Sequence, residues 1–313
     1  IVAVSNSKAH VKGYAFNPQI FVPDRSVGKL NVGGAVDLSP VKEVSNILLL
    51  SQLGVETGAV LADILLGKVN PSGKLTTTWA KWEDYSTIGQ MCERNDTAYT
   101  EGIYVGYRYY ETAGVKVQFP FGYGLSYTKF AYSDLNIEGN RVSCTVKNIG
   151  EVTGKEIVQL YIEPVKSSVH RPACELKGFE KVELAPGESK KVTFTLDERS
   201  FAVWTDGWKI PTGEYKICIG RNCQDICLLK EVHIDGVELL DDENLPKWYR
   251  SLMGTPSQSD LETLLGRKIM ERPIVKGEFS NILFLCELVV ASGQEERLIF
   301  PHFIPDYSHF LQN

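Results

Sequence analysis

Residues 101–128 read EGIYVGYRYYETAGVKVQFPFGYGLSYT, and the rest of the chain is organised around this stretch. Tyr104, Tyr107, Tyr109 and Tyr110 set apolar rings with hydroxyl tips close together. Such a cluster packs and presents hydroxyls at once, which suits either a cleft wall that meets sugar-like surfaces or a domain interface. In Phe119-Pro120-Phe121-Gly122-Tyr123-Gly124-Leu125-Ser126-Tyr127, glycines stand between large rings and permit backbone angles and close approaches that other residues resist.

Upstream of this stretch, strand and helix signals alternate. Ile1 to Val4 reads as a short buried parallel strand, Leu30 to Leu38 as a strand ending in a glycine-rich turn, and Ile47 to Gln52 as a further buried strand. Glu56 to Leu66 places Val60, Leu61, Ile64 and Leu65 on one helical face, with Gly67 as a C-cap. Asn70-Pro71-Ser72-Gly73 has the chemistry of a turn. This alternation implies an α/β layer.

Downstream the rhythm changes at Phe130 to evenly spaced short strands at 142–146, 156–162, 176–182, 190–196, 213–219 and 226–234. Spacing of this kind predicts an all-β sandwich. Val192, Phe194 and Leu196 fall on one face of their strand, as an antiparallel sheet with one wet side requires. After Gly236 comes an acidic run and a tail with one short helix, capped at Ser259-Asp260-Leu261-Glu262 and ended by Gly266. A helix that short must dock on a larger body. The expected fold class is therefore α/β plus all-β: an incomplete α/β sandwich domain over 1–129, a β-sandwich over 130–236 and a docking tail over 237–313.

The two blocks Glu101–Tyr110 and Phe119–Tyr127 resemble the signature of the second domain of family 3 glycoside hydrolases, a family that includes many β-glucosidases. GAVLADILLGKVNPSGKL at 58–75 is similar to the helix and turn of that domain, in the expected order. Glu175-Leu176-Lys177-Gly178-Phe179 and Leu184-Ala185-Pro186-Gly187-Glu188-Ser189 resemble the fibronectin type III-like domain that often follows it. The resemblance covers roughly residues 30 to 235 and weakens to about 279.

The resemblance implies retaining hydrolysis of terminal β-D-glucosides or related sugars, with two carboxyls about 5 to 5.5 Å apart. It places the nucleophile on an N-terminal (β/α) barrel, which needs about 250 residues that this chain does not show. It places the acid/base on a Glu upstream of the strand at Leu30, yet residues 1 to 29 contain no Glu. Asp24-Arg25 reads as either a remnant of that loop or a surface ion pair. Glu101, beside the tyrosines, is the remaining acid/base candidate, and burial would have to raise its pKa. Tyr104, Tyr107 and Arg108 are the candidate sugar contacts, although Arg108 and Glu111 equally suit ion pairs that brace the loop. The partners implied are a β-glucoside or oligosaccharide and the barrel, and a homo-oligomer stays open. A non-catalytic carbohydrate-binding or structural module is the alternative.

With 43% hydrophobic residues, 23% charged residues and a net charge of -6, the chain offers no electrostatic field for nucleic acid or an anionic membrane. Its apolar runs are too short to span a bilayer. Seven scattered cysteines fit a reducing, cytoplasmic setting. The spacing of Cys218, Cys223 and Cys227 matches no metal pattern, and the implied chemistry needs neither metal nor cofactor.

Overall fold

The computed structural model describes residues 2–5, 27–30, 34, 35, 38, 46–51, 54–85, 100–240, 245–253 and 256–269. Every element below belongs to one compact unit, residues 1–90 and 99–268. Apart from Ile269, the second unit, residues 91–98 and 269–313, lies outside the described residues, as do Asp24 and Arg25.

The α/β region opens with three short strands, β1 (Val2–Ser5), β2 (Val27–Leu30) and β3 (Asn46–Leu49), in the order β1-β3-β2. β3 runs parallel to β2 but antiparallel to β1, so the first strand is not the parallel one expected. Of the strand expected over Leu30 to Leu38, Leu30 closes β2 and residues 34, 35 and 38 are not in a strand, while residues 31–33, 36 and 37 lie outside the described residues. β3 is central because it is apolar on both sides. Ile47 and Leu49 pack with Leu75, Trp79 and Phe119, while Leu48 and Leu50 pack against Ile64 of helix α1 (Thr57–Leu65). Val60 departs from the expected helical face and stays exposed; only Leu61, Ile64 and Leu65 turn inward.

The sandwich is built from β4 (Phe130–Glu138), β5 (Arg141–Asn148), β6 (Gly154–Pro164), β7 (Glu175–Leu184) and β8 (Ser189–Thr195). A small hairpin, β9 (Val203–Trp204) and β10 (Trp208–Lys209), precedes β11 (Gly213–Gly220) and β12 (Ile226–Ile234). The sheets have the orders β12-β11-β6-β7 and β4-β5-β8, antiparallel throughout. Their inner faces meet in one core that includes Val142, Val146, Val158, Leu160, Ile162, Phe194, Ile217 and Ile219. Each such side chain contributes roughly 1.5–3 kcal/mol by leaving water.

β6 breaks the usual pattern of one wet face. Val158, Leu160 and Ile162 point into the core, yet Gln159 and Tyr161 on the other face are buried as well. What covers them is the aromatic stretch 101–128.

Among the described residues the tail holds two helices where one was expected: α3 (Lys247–Ser251) and α4 (Gln258–Leu265). The capping box of α4 starts at Ser257, not Ser259: the Ser257 hydroxyl accepts from the Asp260 N–H, and Asp260 returns a bond to the Ser257 N–H. Gly266 ends the helix at φ 63°.

Candidate functional site

The stretch that reads as a loop contains a helix, α2 (Tyr107–Ala113), bounded by two left-handed glycines, Gly106 at φ 60° and Gly114 at φ 65°. On one edge of the helix Tyr109 and Tyr110 are buried, Tyr110 edge-on to Tyr85 with centroids 6.4 Å apart. Its other residues meet the sandwich in pairs four apart, because 3.6 residues per turn align such positions. In the first pair, Tyr107 stacks on Phe121 with centroids 4.6 Å apart and meets Tyr161 of β6 edge-on at 6.3 Å. Its hydroxyl accepts the Leu176 N–H at 2.8 Å, and Glu111 accepts from Gln224 Nε2 at 2.8 Å and from the Cys223 thiol at 3.6 Å. In the second pair, Arg108 reaches Glu175 at 3.4 Å and Thr112 Oγ1 accepts the Ala173 N–H at 2.9 Å.

Two carboxyls at α2, Glu111 on the helix and Glu175 paired with Arg108, are tuned in opposite directions. Burial raises the pKa of Glu111, and the bonds from Gln224 and Cys223 only partly offset it. Burial acts on Glu175 too, but Lys177, Arg171 and Arg108 outweigh it and hold its pKa below the usual value. All three cations reach that one carboxylate, Arg171 at 2.9 Å and Lys177 at 3.5 Å besides Arg108. Burial lowers the pKa of Lys177 in turn, against the pull of Glu175.

The second half of the stretch continues the interface. Trp79 accepts at its carbonyl from the Gln118 and Phe119 N–H groups, and Leu75 exchanges bonds with Tyr123 and Gly122. Gly122, at φ 81°, lies where any Cβ would overlap the Gln159 amide, and its carbonyl accepts from Gln159 Nε2 at 3.2 Å. Lys74 forms a buried pair with Glu156 of β6 at 2.9 Å and also donates to the Gly124 carbonyl. Asn70 joins the same two regions: its Oδ1 accepts from the Tyr127 N–H and the Ser126 hydroxyl, and its Nδ2 donates to the Thr153 carbonyl. Just beyond, buried Asn148 accepts from the Thr128 hydroxyl at 2.6 Å and donates to the Val152 and Leu184 carbonyls.

The first residues of the stretch meet α3. Tyr249 accepts the Ile103 N–H at 3.2 Å, and its hydroxyl lies where a Cβ on Gly102 would fall. The Tyr104 ring is 0% exposed, held edge-on between His170 at 5.0 Å and Tyr249 at 5.5 Å. Enclosed in this way, the ring packs against the tail helix α3. Tyr107 and Arg108 are half-buried, with the Tyr107 hydroxyl and the Arg108 guanidinium turned to the sandwich. Glu101 is half-buried, and burial raises its carboxyl pKa. The Tyr110 hydroxyl is pushed above its ordinary range by burial first, then by Tyr85, Tyr109, Glu101 and Asp84.

The structure therefore brings Tyr107 and Arg108 together on one helix, and puts Glu101 and Tyr104 on the preceding turn. Sequence reasoning missed Glu175, Gln159 and Tyr249. Glu175 and Lys177 lie inside the recognised Glu-Leu-Lys-Gly-Phe block, so the signal for one of them was present. Cys218 and Cys223 line an apolar cluster with Tyr161 and Cys174, and burial pushes the Cys218 thiol up to about 12. Among the described residues no group of three His, Cys, Asp or Glu side chains is placed to hold a metal ion.

A short-stranded α/β region locked onto an antiparallel sandwich through an aromatic helix defines the architecture. Residues 24–127 match the family model for the glycosyl hydrolase family 3 C-terminal domain, and residues 156–223 match that for the fibronectin type III-like domain. The chain thus carries the C-terminal domain of family 3 glycosyl hydrolases with a fibronectin type III-like domain behind it.

Among its relatives is the thermostable beta-glucosidase B of Acetivibrio thermocellus, 46% identical over 216 residues, covering 65% of this chain and 29% of the relative. The exo-alpha-(1->6)-L-arabinopyranosidase of Bifidobacterium breve is 40% identical over 218 residues, covering 66% and 29%. Among solved structures, the Bifidobacterium adolescentis GH3 beta-glucosidase superposes with a TM-score of 0.64 at 41% identity, covering 69% of this chain and 34% of that one. The chain spans less than a third of the length of these curated relatives.

Proposed function

We propose that this chain is the C-terminal portion of a retaining glycoside hydrolase that cleaves terminal β-D-glucosyl residues, and that its role is to complete the sugar pocket of an N-terminal (β/α) barrel. The observation that carries this reading is the matched domain pair, in order, over less than a third of the length of relatives that are mostly named as β-glucosidases. The arabinopyranosidase relative keeps the sugar a matter for experiment.

In this reading Glu101 is the acid/base candidate. A general acid needs a carboxyl protonated at working pH, and burial moves Glu101 in that direction. Tyr107 and Arg108 act one step removed, by holding α2 so that the turn before it keeps its position. The retaining reaction needs a second carboxyl, the nucleophile, which the reading assigns to the barrel.

Incubated alone with p-nitrophenyl β-glucoside, the chain is expected to release no nitrophenol. Fused behind a family 3 barrel, it is expected to restore release, and Glu101→Gln in that fusion to lower kcat by about 10²-fold or more. Enzyme-like hydrolysis by the isolated chain would overturn the assignment of the nucleophile. An unchanged Glu101→Gln rate would remove Glu101 from the chemistry.

A further inference from the structure

The hairpin of β9 and β10 carries two tryptophans that the interface does not use. Trp204 and Trp208 are direct cross-strand partners, 65% and 50% exposed, with ring centroids 5.5 Å apart at 78°. Large rings left in water on a soluble domain need an explanation. The hairpin is firmly mounted: the preceding Phe201 and Ala202 are buried, and Arg171 donates to the Phe201 carbonyl at 2.9 Å. The Arg199 guanidinium lies 4.9 Å over the Trp208 ring and fixes its orientation.

We propose that Trp204 and Trp208 form a binding site for β-linked glucan chains on the sandwich. A pyranose ring has an apolar C–H face and a rim of hydroxyls. The two indoles meet at an angle and offer an apolar corner for such faces. Around it, charged groups of both signs supply donors and acceptors for the rim: Arg199, and the exposed ion pair of Asp206 with Lys209 at 2.6 Å. Thr205 donates to Asp206 at 2.9 Å and its N–H bonds the Gly207 carbonyl, which holds the turn between the rings. This mixture of exposed rings and mixed charge fits a neutral polyol better than an anionic polymer or a purely apolar partner. The choice of β-glucan rests on the β-glucoside reading above.

The test is affinity electrophoresis of the full chain in gels containing soluble mixed-linkage β-glucan, with calorimetric titration of cellohexaose. Wild type is expected to be retarded by the glucan, and Trp204→Ala and Trp208→Ala each to weaken binding by about tenfold. Trp204→Phe, which keeps a ring, is expected to retain part of the affinity. Near-UV circular dichroism and the unfolding midpoint identify any variant that merely misfolds. Equal mobility of wild type with and without glucan overturns the proposal, as does undiminished retention of folded alanine variants. Failure of the glucoside reading would show as a barrel fusion that releases no nitrophenol, whatever the glucan gel reports. Failure of this inference would show as no retention while that fusion stays active.

Discussion

The sandwich and the α/β region solve the same problem with unequal means. The sandwich closes two sheets over a core of its own, whereas the described residues of the α/β region form three four-residue strands and two small clusters. The described residues of the smaller region also draw on the interface: one face of β6, α2, and polar contacts across them. Elements held this way depend on their neighbour, so damage at the interface should spread in one direction only.

The strongest test removes one half of the buried ion pair between the regions. Lys74→Met strands the Glu156 charge and is expected to cost about 3–5 kcal/mol by urea unfolding. Hydrogen exchange should then show α1 and β3 losing protection while β5 and β6 keep theirs, and equal loss in both would end the asymmetry. Leu160→Ala, in the core of the sandwich, is expected to cost about 2–5 kcal/mol and, in contrast, to loosen both regions together. Tyr107→Phe takes away the acceptor of the Leu176 N–H and is expected to cost about 1–3 kcal/mol, with the ring stack retained.

The subtlest test uses pH. The folded-state pKa of Glu175 is lowered, so its contribution is present above the unfolded carboxylate value of about 4.3 and lost as pH falls through the folded value. Glu111 has the opposite sign: its pKa is raised, so its contribution is present below about 4.3 and lost as pH rises through the folded value. Unfolding curves across that window should therefore separate the two variants. Glu175→Gln is expected to be destabilised mainly at neutral pH, and Glu111→Gln to gain on wild type as pH rises. Parallel profiles for both would refute the electrostatic account of the interface.

How much of this the sequence disclosed follows the same division. Sandwich strands announced themselves because one wet face imposes strict alternation, as at Val192, Phe194 and Leu196. β4 did not, because its pattern is interrupted: Asp134 takes φ 56° and the register with β5 shifts between Ser133 and Asn136. The β9–β10 hairpin, with two residues per strand, is too short for any period to show. α2 was hidden for another reason, since three tyrosines and an arginine suggest a loop or strand until the flanking glycines are recognised as its limits. The resemblance of the aromatic stretch identified its family. It did not reveal that Tyr104 is a packing residue, because burial depends on α3, about 145 residues away in the chain.

The asparagines at 70 and 148 carry a mechanical consequence. Both sit where the chain crosses between regions, and each bonds on either side of the crossing. No slack remains there for a swivel, because any change of angle must break several hydrogen bonds at about 0.5–1.5 kcal/mol each. Thermal agitation will therefore rock the two regions as one stiff lever, and a pull applied at the tryptophan hairpin would be transmitted undamped to the turn that carries Glu101.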